Sequence, residues 1–250
     1  MSGYQDLAHY YGILFPVSEA QKQFLAPMVE ICQGCRLPWL DVGCGVGALF
    51  DWLTGRGVDA RGIDPDEAFI DQAHRSINLD DNWIQCAAMN DIDRVFPDAS
   101  FGSITCLGNV LAHARDLEEI RGFIAKARGR LATEGRLILQ IVNYDRVLST
   151  HDASFPLLRR TTPDGTALVF ERRYSFDEYR PGGRIRFDTR LRIGDQTIEN
   201  TAWLLPIQKE ELLTLTQEVF PEVQVYGDYD KNPWSMESAA TVLVASARLD

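Results

Sequence analysis

Three glycines stand on alternate positions behind an acidic residue in Leu40–Phe50, which reads LDVGCGVGALF. Glycine inside an element costs about 0.5–1 kcal/mol relative to alanine, so Gly43, Gly45 and Gly47 indicate a specific backbone requirement. The residues before them predict a short buried strand, and those after them have helical spacing. At such a strand-to-helix turn a ligand can approach bare backbone and the positive end of the helix. The stretch therefore predicts a nucleotide-type binding loop.

The loop also fits the G-x-G-x-x-[G/A] spacing of dinucleotide-binding folds, and Asp64 follows about twenty residues later, where such folds place a ribose-binding acid. An NAD(P)-dependent oxidoreductase is therefore one interpretation. Three features favour another ligand: Gly47 tightens the pattern to G-x-G-x-G, Asp41 precedes the first glycine by two residues, and a helical segment comes before the first strand.

Strand and helix patterns alternate along the first part of the chain, after a helix at about 18–33. Strands are predicted at about 37–42, 58–63, 83–86, 101–107 and 136–142, and helices at about 46–55, after 64 and at 116–130. This βαβ order predicts a parallel sheet with right-handed crossovers. Asn143 and Tyr144 are expected to lead directly from the fifth strand into the next segment.

From about 151 to 206 the apolar period changes to two, which predicts an antiparallel meander with a hairpin turn at 194–195. A helix at about 208–219 and strands at 223–226 and 241–247 close the chain. Residues 1–150 and 207–250 are thus expected to form the core, with 151–206 as an antiparallel insertion that covers the active site.

The composition limits the classes of partner. The net charge of −11 provides no electrostatic footprint for a nucleic acid, and no apolar run approaches the ~20 residues that span a bilayer. The first residues show no signal-peptide pattern, and five cysteines favour a reducing cytoplasm over a disulfide framework. Cys32 and Cys35 lack the further ligands that a zinc site needs, so no metal is expected.

The stretch LDVGCGVGAL resembles motif I of class I S-adenosylmethionine-dependent methyltransferases, and GIDPDEAFIDQAH resembles the acidic loop after their second strand. FGSITCLGNVLAH and LATEGRLILQIVNYD are similar to the fourth and fifth strands of a small-molecule subgroup that includes glycine N-methyltransferase-like enzymes. The resemblance spans about residues 10 to 145 and resumes at the closing strands. It implies a Rossmann-like, doubly wound seven-stranded sheet whose last strand is antiparallel.

The resemblance also implies S-adenosylmethionine as cofactor. Asp41 and the glycine-loop backbone would meet its methionine and sulfonium side, Asp64 would accept both ribose hydroxyls, and the residues after the fourth strand would line the path to the acceptor. The expected cofactor-binding residues are Tyr11, Asp41, Gly43, Cys44, Gly45, Gly47, Asp64, Pro65, Ala88, Met89, Leu107, Gly108 and Asn109.

One position departs from the family pattern. After the third strand the family usually has an acid that bonds the adenine amino group, whereas this chain has Ala87, Ala88 and Met89. Met89 can flank the ring, so the hydrogen bond must come from the backbone, Asn90, Asp91 or water.

Five residues are candidates around the acceptor. His113 is the best-placed histidine for accepting a proton, although it can equally cap or pack its loop. Asn143 and Tyr144 are positioned to touch an acceptor or simply to start the next loop. Tyr10 and Tyr11 resemble the N-terminal tyrosine that closes over the cofactor in related enzymes, or they pack as part of an amphipathic segment.

The insertion carries Arg184, Arg186, Arg190 and Arg192 opposite its apolar alternation. A solvated sheet face is one interpretation; an anionic acceptor or a subunit contact is the other. Arginines 159, 160, 172 and 173 also make the insertion less acidic than the core, so we expect it to determine the acceptor.

Together these patterns predict an α/β, S-adenosylmethionine-dependent methyltransferase that acts on a small-molecule N or O nucleophile, with no nucleic-acid or membrane partner. The alternatives are the oxidoreductase and a non-catalytic S-adenosylmethionine-binding protein.

Overall fold

Strands and helices alternate over the first 142 residues, as the sequence predicts. The computed structural model describes residues 2–77, 82–153 and 155–247, with side chains from residue 7 onward. The helices are α1 (Ser2–Leu14), α2 (Glu19–Cys35), α3 (Ala48–Thr54), α4 (Glu67–Ile77), α5 (Ile92–Val95), α6 (Leu117–Arg130), α7 (Tyr144–Thr150) and α8 (Lys209–Gln217). The strands are β1 (Trp39–Val42), β2 (Ala60–Asp64), β3 (Ile84–Cys86), β4 (Phe101–Cys106), β5 (Leu131–Val142), β6 (Leu158–Thr161), β7 (Ala167–Ser175), β8 (Ile185–Ile193), β9 (Gln196–Leu204), β10 (Glu222–Tyr226) and β11 (Ala240–Ser246).

A seven-stranded sheet forms the centre, in the order β10-β11-β5-β4-β1-β2-β3. The pairs among β1 to β5 are parallel, whereas β11 runs antiparallel to both β5 and β10. The predicted Rossmann-like sheet with an antiparallel last strand is confirmed. Because the parallel strands end at the same edge, the residues that follow them are brought together there.

Two apolar clusters cover the faces of this sheet. One contains Ile120 and Phe123 of α6 and Leu212 of α8, and the other contains Phe24 of α2 and Phe50 of α3. Every residue of β1 and β4 is buried, as expected for strands covered on both faces.

Short-range polar signals fix the helix starts. Ser18 and Gln21 form a capping box before α2, and the Asp116 side chain accepts from the backbone N–H of Glu119 at the start of α6. None of the helices in the described ranges is long and apolar enough to cross a bilayer.

The insertion forms a separate antiparallel sheet in the order β6-β7-β8-β9. Its turn lies at residues 194–195 as predicted, between β8 and β9. Alternate residues of each strand share a face, and the face that carries Leu168, Phe170 and Leu191 is buried. We call it the inner face. Arg186, Arg190 and Arg192 lie on the opposite, outer face and are exposed there.

Four of these elements were not predicted: α1, α5, α7 and β6. The expectation that Asn143 and Tyr144 lead directly into the meander is wrong, because the Asn143 side chain accepts from the backbone N–H of Arg146 at 3.2 Å and starts α7. A seven-residue helix is too short to show a clear periodicity in the sequence.

Candidate functional site

The ends of β1, β2 and β4 place two acidic residues and the segment after β4 at one edge of the seven-stranded sheet. β1 pairs with β2 on one side and with β4 on the other, and Asp41 of β1 lies opposite both Gly62 and Thr105. Asp64 ends β2, and residues 107–109 follow β4. The structure thus brings together the acidic and strand-exit residues that the sequence analysis singled out.

The glycine loop has a steric reason for two of its glycines. Gly43 has φ of 75°, and a Cβ there would lie 2.3 Å from Cγ2 of Val110. Gly47 has φ of 81°, and a Cβ there would lie 2.6 Å from Cδ1 of Ile77. Both positions exclude other residues regardless of any ligand. At Gly45 a Cβ would instead be 3.6 Å from the Tyr11 ring, so this glycine lies under that tyrosine.

Asp64 ties the loop to the end of β2. Its Oδ2 accepts from the Gly45 backbone N–H and its Oδ1 accepts from that of Asp66, each at 3.0 Å. Burial raises the pKa of Asp64 in spite of these bonds. A carboxylate has about four lone-pair sites, so both oxygens retain capacity for two ribose hydroxyls. The residue fits the role that the sequence predicts.

Asp41 is a buried carboxylate with a fixed orientation. Its Oδ1 accepts from Thr105 Oγ1 at 2.8 Å, and Trp39 Nε1 donates to the same hydroxyl at 3.0 Å. Burial, with a smaller contribution from the charge of Asp64, raises the pKa of Asp41 to about 7. A cationic ligand group beside it would stabilise the ionised form, so the site fits the ammonium of a methionine moiety.

The segment Leu107–Asn109, which we call the strap, is held by the fifth strand. The Gly108 N–H donates to Gln140 Oε1 at 2.7 Å, and Asn109 Oδ1 accepts from the Val142 N–H at 3.0 Å. Asn109 Nδ2 donates to Tyr144 Oη at 2.9 Å. The left-handed φ of 70° at Asn109 is therefore stabilised by bonds from its own side chain.

Sequence reasoning missed Gln140 and Tyr229. Tyr229, in the loop between β10 and β11, donates to Gln140 Oε1 at 3.4 Å and packs against Phe24 at 5.5 Å between ring centroids. The available signal was Gln140 itself, because it is a polar residue inside the apolar strand RLILQIV. Nothing local pointed to Tyr229, which reaches the strap only through the sheet topology.

Tyr11 comes to the loop from α1. Its ring meets Phe69 at 4.8 Å and Phe15 at 4.9 Å between centroids. Burial and the charge of Asp64 raise its pKa to about 12. The predicted position of a tyrosine over the cofactor loop agrees with this placement, whereas Tyr10 is partly buried in the cluster between α1 and the insertion.

Beyond β3, the adenine side is built from short side chains. The Ala88 N–H donates to Asp91 Oδ2 at 3.3 Å, and Asn90 Nδ2 donates to the Glu119 carbonyl at 2.9 Å. Asn90 thus joins this segment to α6. The expected contacts of Pro65, Ala88 and Met89 with the cofactor stay predictions.

Three residues that the sequence analysis placed near the acceptor differ in burial and in hydrogen bonding. His113 ends a 3-10 turn, is exposed, and has a pKa lowered by partial desolvation and by the charge of Arg184. Asn143 is completely buried, and its Nδ2 donates to the carbonyls of residues 235, 236 and 238 at 3.0–3.2 Å. Tyr144 is also completely buried, and its hydroxyl accepts from Tyr174 at 3.4 Å as well as from Asn109. Neither side chain is exposed, so direct contact of either with an acceptor is not supported by this structure.

Arg172 lies on the inner face of β7. The sequence analysis named it only among the arginines that make the insertion less acidic than the core. Its guanidinium lies 4.8 Å from the Phe155 ring centroid and 5.7 Å from that of Phe15. One terminal nitrogen donates to the Pro156 carbonyl at 3.2 Å, while the buried Nε has no hydrogen-bond partner within the described part of the chain. Desolvation lowers the pKa of Arg172.

Two cavities lie away from the strand ends. One of about 800 Å³ lies against the insertion, where its lining includes Arg172, Thr189 and Asn200 of the inner face as well as charged residues of the outer face, and one of about 250 Å³ lies between α1 and α4. Across the described ranges, no three potential ligands among His, Cys, Asp and Glu come close enough to hold a metal ion.

Comparisons with known proteins agree on one family. Residues 40–139 match a family described as a methyltransferase domain. The chain is 30% identical to glycine N-methyltransferase of Oryctolagus cuniculus over 131 residues, covering 47% of this chain and 44% of that protein. It is 26% identical to glycine/sarcosine N-methyltransferase of Aphanothece halophytica over 195 residues, covering 77% and 69%. The matched part is thus less than half of the rabbit protein.

The fold agrees with the match to a methyltransferase domain. A solved S-adenosylmethionine-dependent methyltransferase from Clostridium acetobutylicum superposes with a TM-score of 0.72 at 14% identity, covering 98% of this chain and 99% of that one. These matches leave no support for the oxidoreductase interpretation. Residues 40–139 therefore carry a methyltransferase domain, and the chain shares its fold with solved S-adenosylmethionine-dependent methyltransferases.

Proposed function

We propose that the protein methylates the nitrogen of a small amine that carries an anionic group, and that Arg172 binds that group. The observation that carries the proposal is the buried Nε of Arg172, which has no partner in the described part of the chain. An unpaired buried donor on a cation costs free energy, and an anion accepting from it would recover that cost.

The position of Arg172 supports an acceptor role. Two residues further along β7, Tyr174 donates to Tyr144 Oη, which also accepts from the Asn109 amide at the end of the strap. On the other side, the guanidinium of Arg172 lies 5.7 Å from the Phe15 ring centroid, and the Phe15 ring packs against Tyr11, the residue over Gly45. Arg172 therefore lies between the two groups that flank the expected methyl position.

The charge distribution favours an anion at the insertion alone. Residues 151–206 hold nine arginines and eight acidic residues, a net charge of +1, whereas the whole chain has −11. The core edge carries the carboxylates Asp41 and Asp64, which would repel an anionic acceptor. Attraction to Arg172 and repulsion from the core carboxylates would orient an acceptor with its anion toward β7 and its nucleophile toward the strap.

The cofactor, when bound, supplies an electrophilic methyl on sulfur; a new C–N bond replaces the C–S bond, and sulfur leaves as a thioether. Nitrogen suits the groups around the cleft better than oxygen. Burial raises the pKa of Tyr11 and Tyr144, so their hydroxyls stay protonated near neutral pH, and desolvation lowers the pKa of His113, which makes its imidazole a weaker base. A neutral amine attacks with its lone pair and loses its proton afterwards, to water or to His113. Two relatives are named as glycine or glycine/sarcosine N-methyltransferases, which supports the same choice.

The test incubates the protein with S-adenosylmethionine that carries an isotopically labelled methyl group. Glycine and sarcosine serve as anionic amines, methylamine as the amine without a carboxylate, and glycolate as the oxygen counterpart; products are identified by mass spectrometry. We expect label on the nitrogen of glycine or sarcosine only. Equal labelling of methylamine would contradict the anion requirement, and labelled glycolate would contradict the nitrogen assignment. No transfer to any amine, with S-adenosylhomocysteine still binding, would favour the non-catalytic alternative.

A further inference from the structure

The inner face of the insertion has a polar row across its middle. Strand register places Arg172 opposite Thr189, and Thr189 opposite Asn200. On one side of this row lie Phe170, Leu191 and Ile198, and on the other lie Tyr174, Phe187 and Ala202. Polar residues therefore occupy one transverse row between two apolar ones.

The two apolar rows have different partners. Phe170 and Leu191 pack into the cluster that contains Leu7 and Leu14 of α1, whereas Tyr174 packs into the main core cluster. The polar row belongs to neither cluster, and its three side chains are only partly buried. It thus lies over the gap between α1 and the core.

That gap contains the reacting end of the site. Tyr11 of α1 stands over Gly45 on one side, and the Tyr174–Tyr144–Asn109 hydrogen bonds form the other side. The row is therefore the roof of the acceptor cleft, with Arg172 at one end. Because neighbouring strands are about 4.8 Å apart, Asn200 lies about 10 Å across the sheet from Arg172.

We propose that Thr189 and Asn200 form a second acceptor subsite that binds an uncharged polar arm, bearing hydroxyl or amide groups, about 5–10 Å from the anion. The proposal rests on the proposed function, because it takes Arg172 as the anchor of the acceptor. A threonine hydroxyl and an asparagine amide each donate and accept, which suits hydroxyl and amide groups and carries no preference for charge. The acceptor is then larger than glycine or sarcosine: an α-amino acid with a polar side chain or a sugar-acid amine.

The test measures methylation kinetics, and binding to the S-adenosylhomocysteine complex by calorimetry, for four α-amino acids. Glycine has no arm, norleucine has an apolar arm, glutamine has an amide arm, and 2-amino-2-deoxygluconic acid has a hydroxylated arm. We expect at least a tenfold lower KM for one or both polar arms than for norleucine. Thr189→Val with Asn200→Leu should remove that preference, while the outer-face control Thr201→Val should keep it.

A second variant tests the subsite by gain of function. Asn200→Asp places a carboxylate in the roof, so lysine should become at least tenfold better than norleucine as an acceptor. Thermal unfolding and S-adenosylhomocysteine affinity confirm that each variant is folded.

The outcomes separate the two proposals. If glycine is methylated as well as the longer acceptors, and both roof variants behave like Thr201→Val, the subsite is wrong and the proposed function stands. If none of the four amino acids binds or reacts, the anionic-amine function and the subsite both fail.

Discussion

The edge of the core that carries Asp41 and Asp64 and the inner face of the insertion differ in how their polar groups are hydrogen-bonded. At the core edge, Asp41, Asp64 and Asn109 are each held by hydrogen bonds from neighbouring strands or loops. On the inner face of the insertion, Arg172 keeps a buried Nε without a partner in the described structure. An edge whose polar groups are already held in place suits a cofactor that is the same for a whole family. A face with a hydrogen-bond donor left unpaired suits an acceptor that differs between family members.

The two regions are joined through few polar contacts. Tyr174 of the insertion donates to Tyr144 of the core at 3.4 Å, and Arg184 donates to the Ala114 carbonyl. Buried Tyr174, Ile185 and Leu204 also belong to the main core cluster. Deleting residues 151–206 would therefore expose core surface, so point variants compare the regions more cleanly than excision.

The largest effect is expected where the core edge is most tightly packed. Gly43→Ala adds a Cβ 2.3 Å from Val110 Cγ2 at a φ of 75°, so strain and overlap together should lower the free energy of unfolding by about 2–4 kcal/mol. Urea unfolding measures the change. Gly57→Ala is the matched control, because Gly57 has φ of 73° with no atom within 4 Å. Equal losses at the two positions would mean that packing against Val110 is irrelevant.

The next effect concerns cofactor affinity. Asp64→Ala removes the acceptor of the Gly45 N–H and the predicted ribose ligand, so S-adenosylhomocysteine binding should weaken by about 1.5–3 kcal/mol, roughly 10- to 150-fold. Calorimetry measures the affinity. Asp66→Ala, which removes the bond from the Ala68 N–H in the same loop, should change it less than threefold. Comparable losses would show that loop rigidity alone is responsible.

A smaller effect on stability tests the hydrogen bonds that connect the core to the insertion. Tyr144→Phe keeps the ring but leaves the Asn109 amide without its acceptor, which should cost about 1–2 kcal/mol of stability. Tyr174→Phe loses only the longer 3.4 Å bond and should cost about 0.5 kcal/mol. Denaturant unfolding distinguishes the two, and the reverse order would contradict the assignment of Tyr144 as the support of the strap.

A pH dependence with opposite signs in two measurements tests the core edge without relying on a change of packing. The pKa of Asp41 is about 7 in the folded protein, above the value of about 3.9 in an unfolded chain. Its contribution to stability is therefore complete below pH 4 and is lost as pH rises toward 7. S-adenosylhomocysteine affinity should instead rise with pH from 6 to 8, because a ligand ammonium favours the ionised carboxylate. Asp41→Asn should flatten both profiles, and unchanged profiles would show that Asp41 does not titrate there.

The core was predictable because its signals are local. The glycine spacing, Asp64 and the βαβ alternation each lie within a short stretch, and the Asp116 cap places α6 within a residue of its predicted start. The acceptor side was less predictable because its residues meet through topology. Arg172 belongs to the inner face only once the β7 register is known, and Tyr144 is buried because α7 turns it toward Asn109.

We assign cofactor binding to the core and acceptor binding to the insertion. The most direct test compares Arg172→Met with Arg173→Met, a substitution of the neighbouring residue on the outer face. Two quantities are measured for each: the Kd for S-adenosylhomocysteine and the KM for the best amine acceptor. We predict that Arg172→Met changes the Kd less than threefold and raises the KM at least 30-fold, while Arg173→Met changes neither. A KM that is equal in the two variants, or a Kd for S-adenosylhomocysteine that rises together with the KM, would contradict the assignment of the acceptor to the insertion.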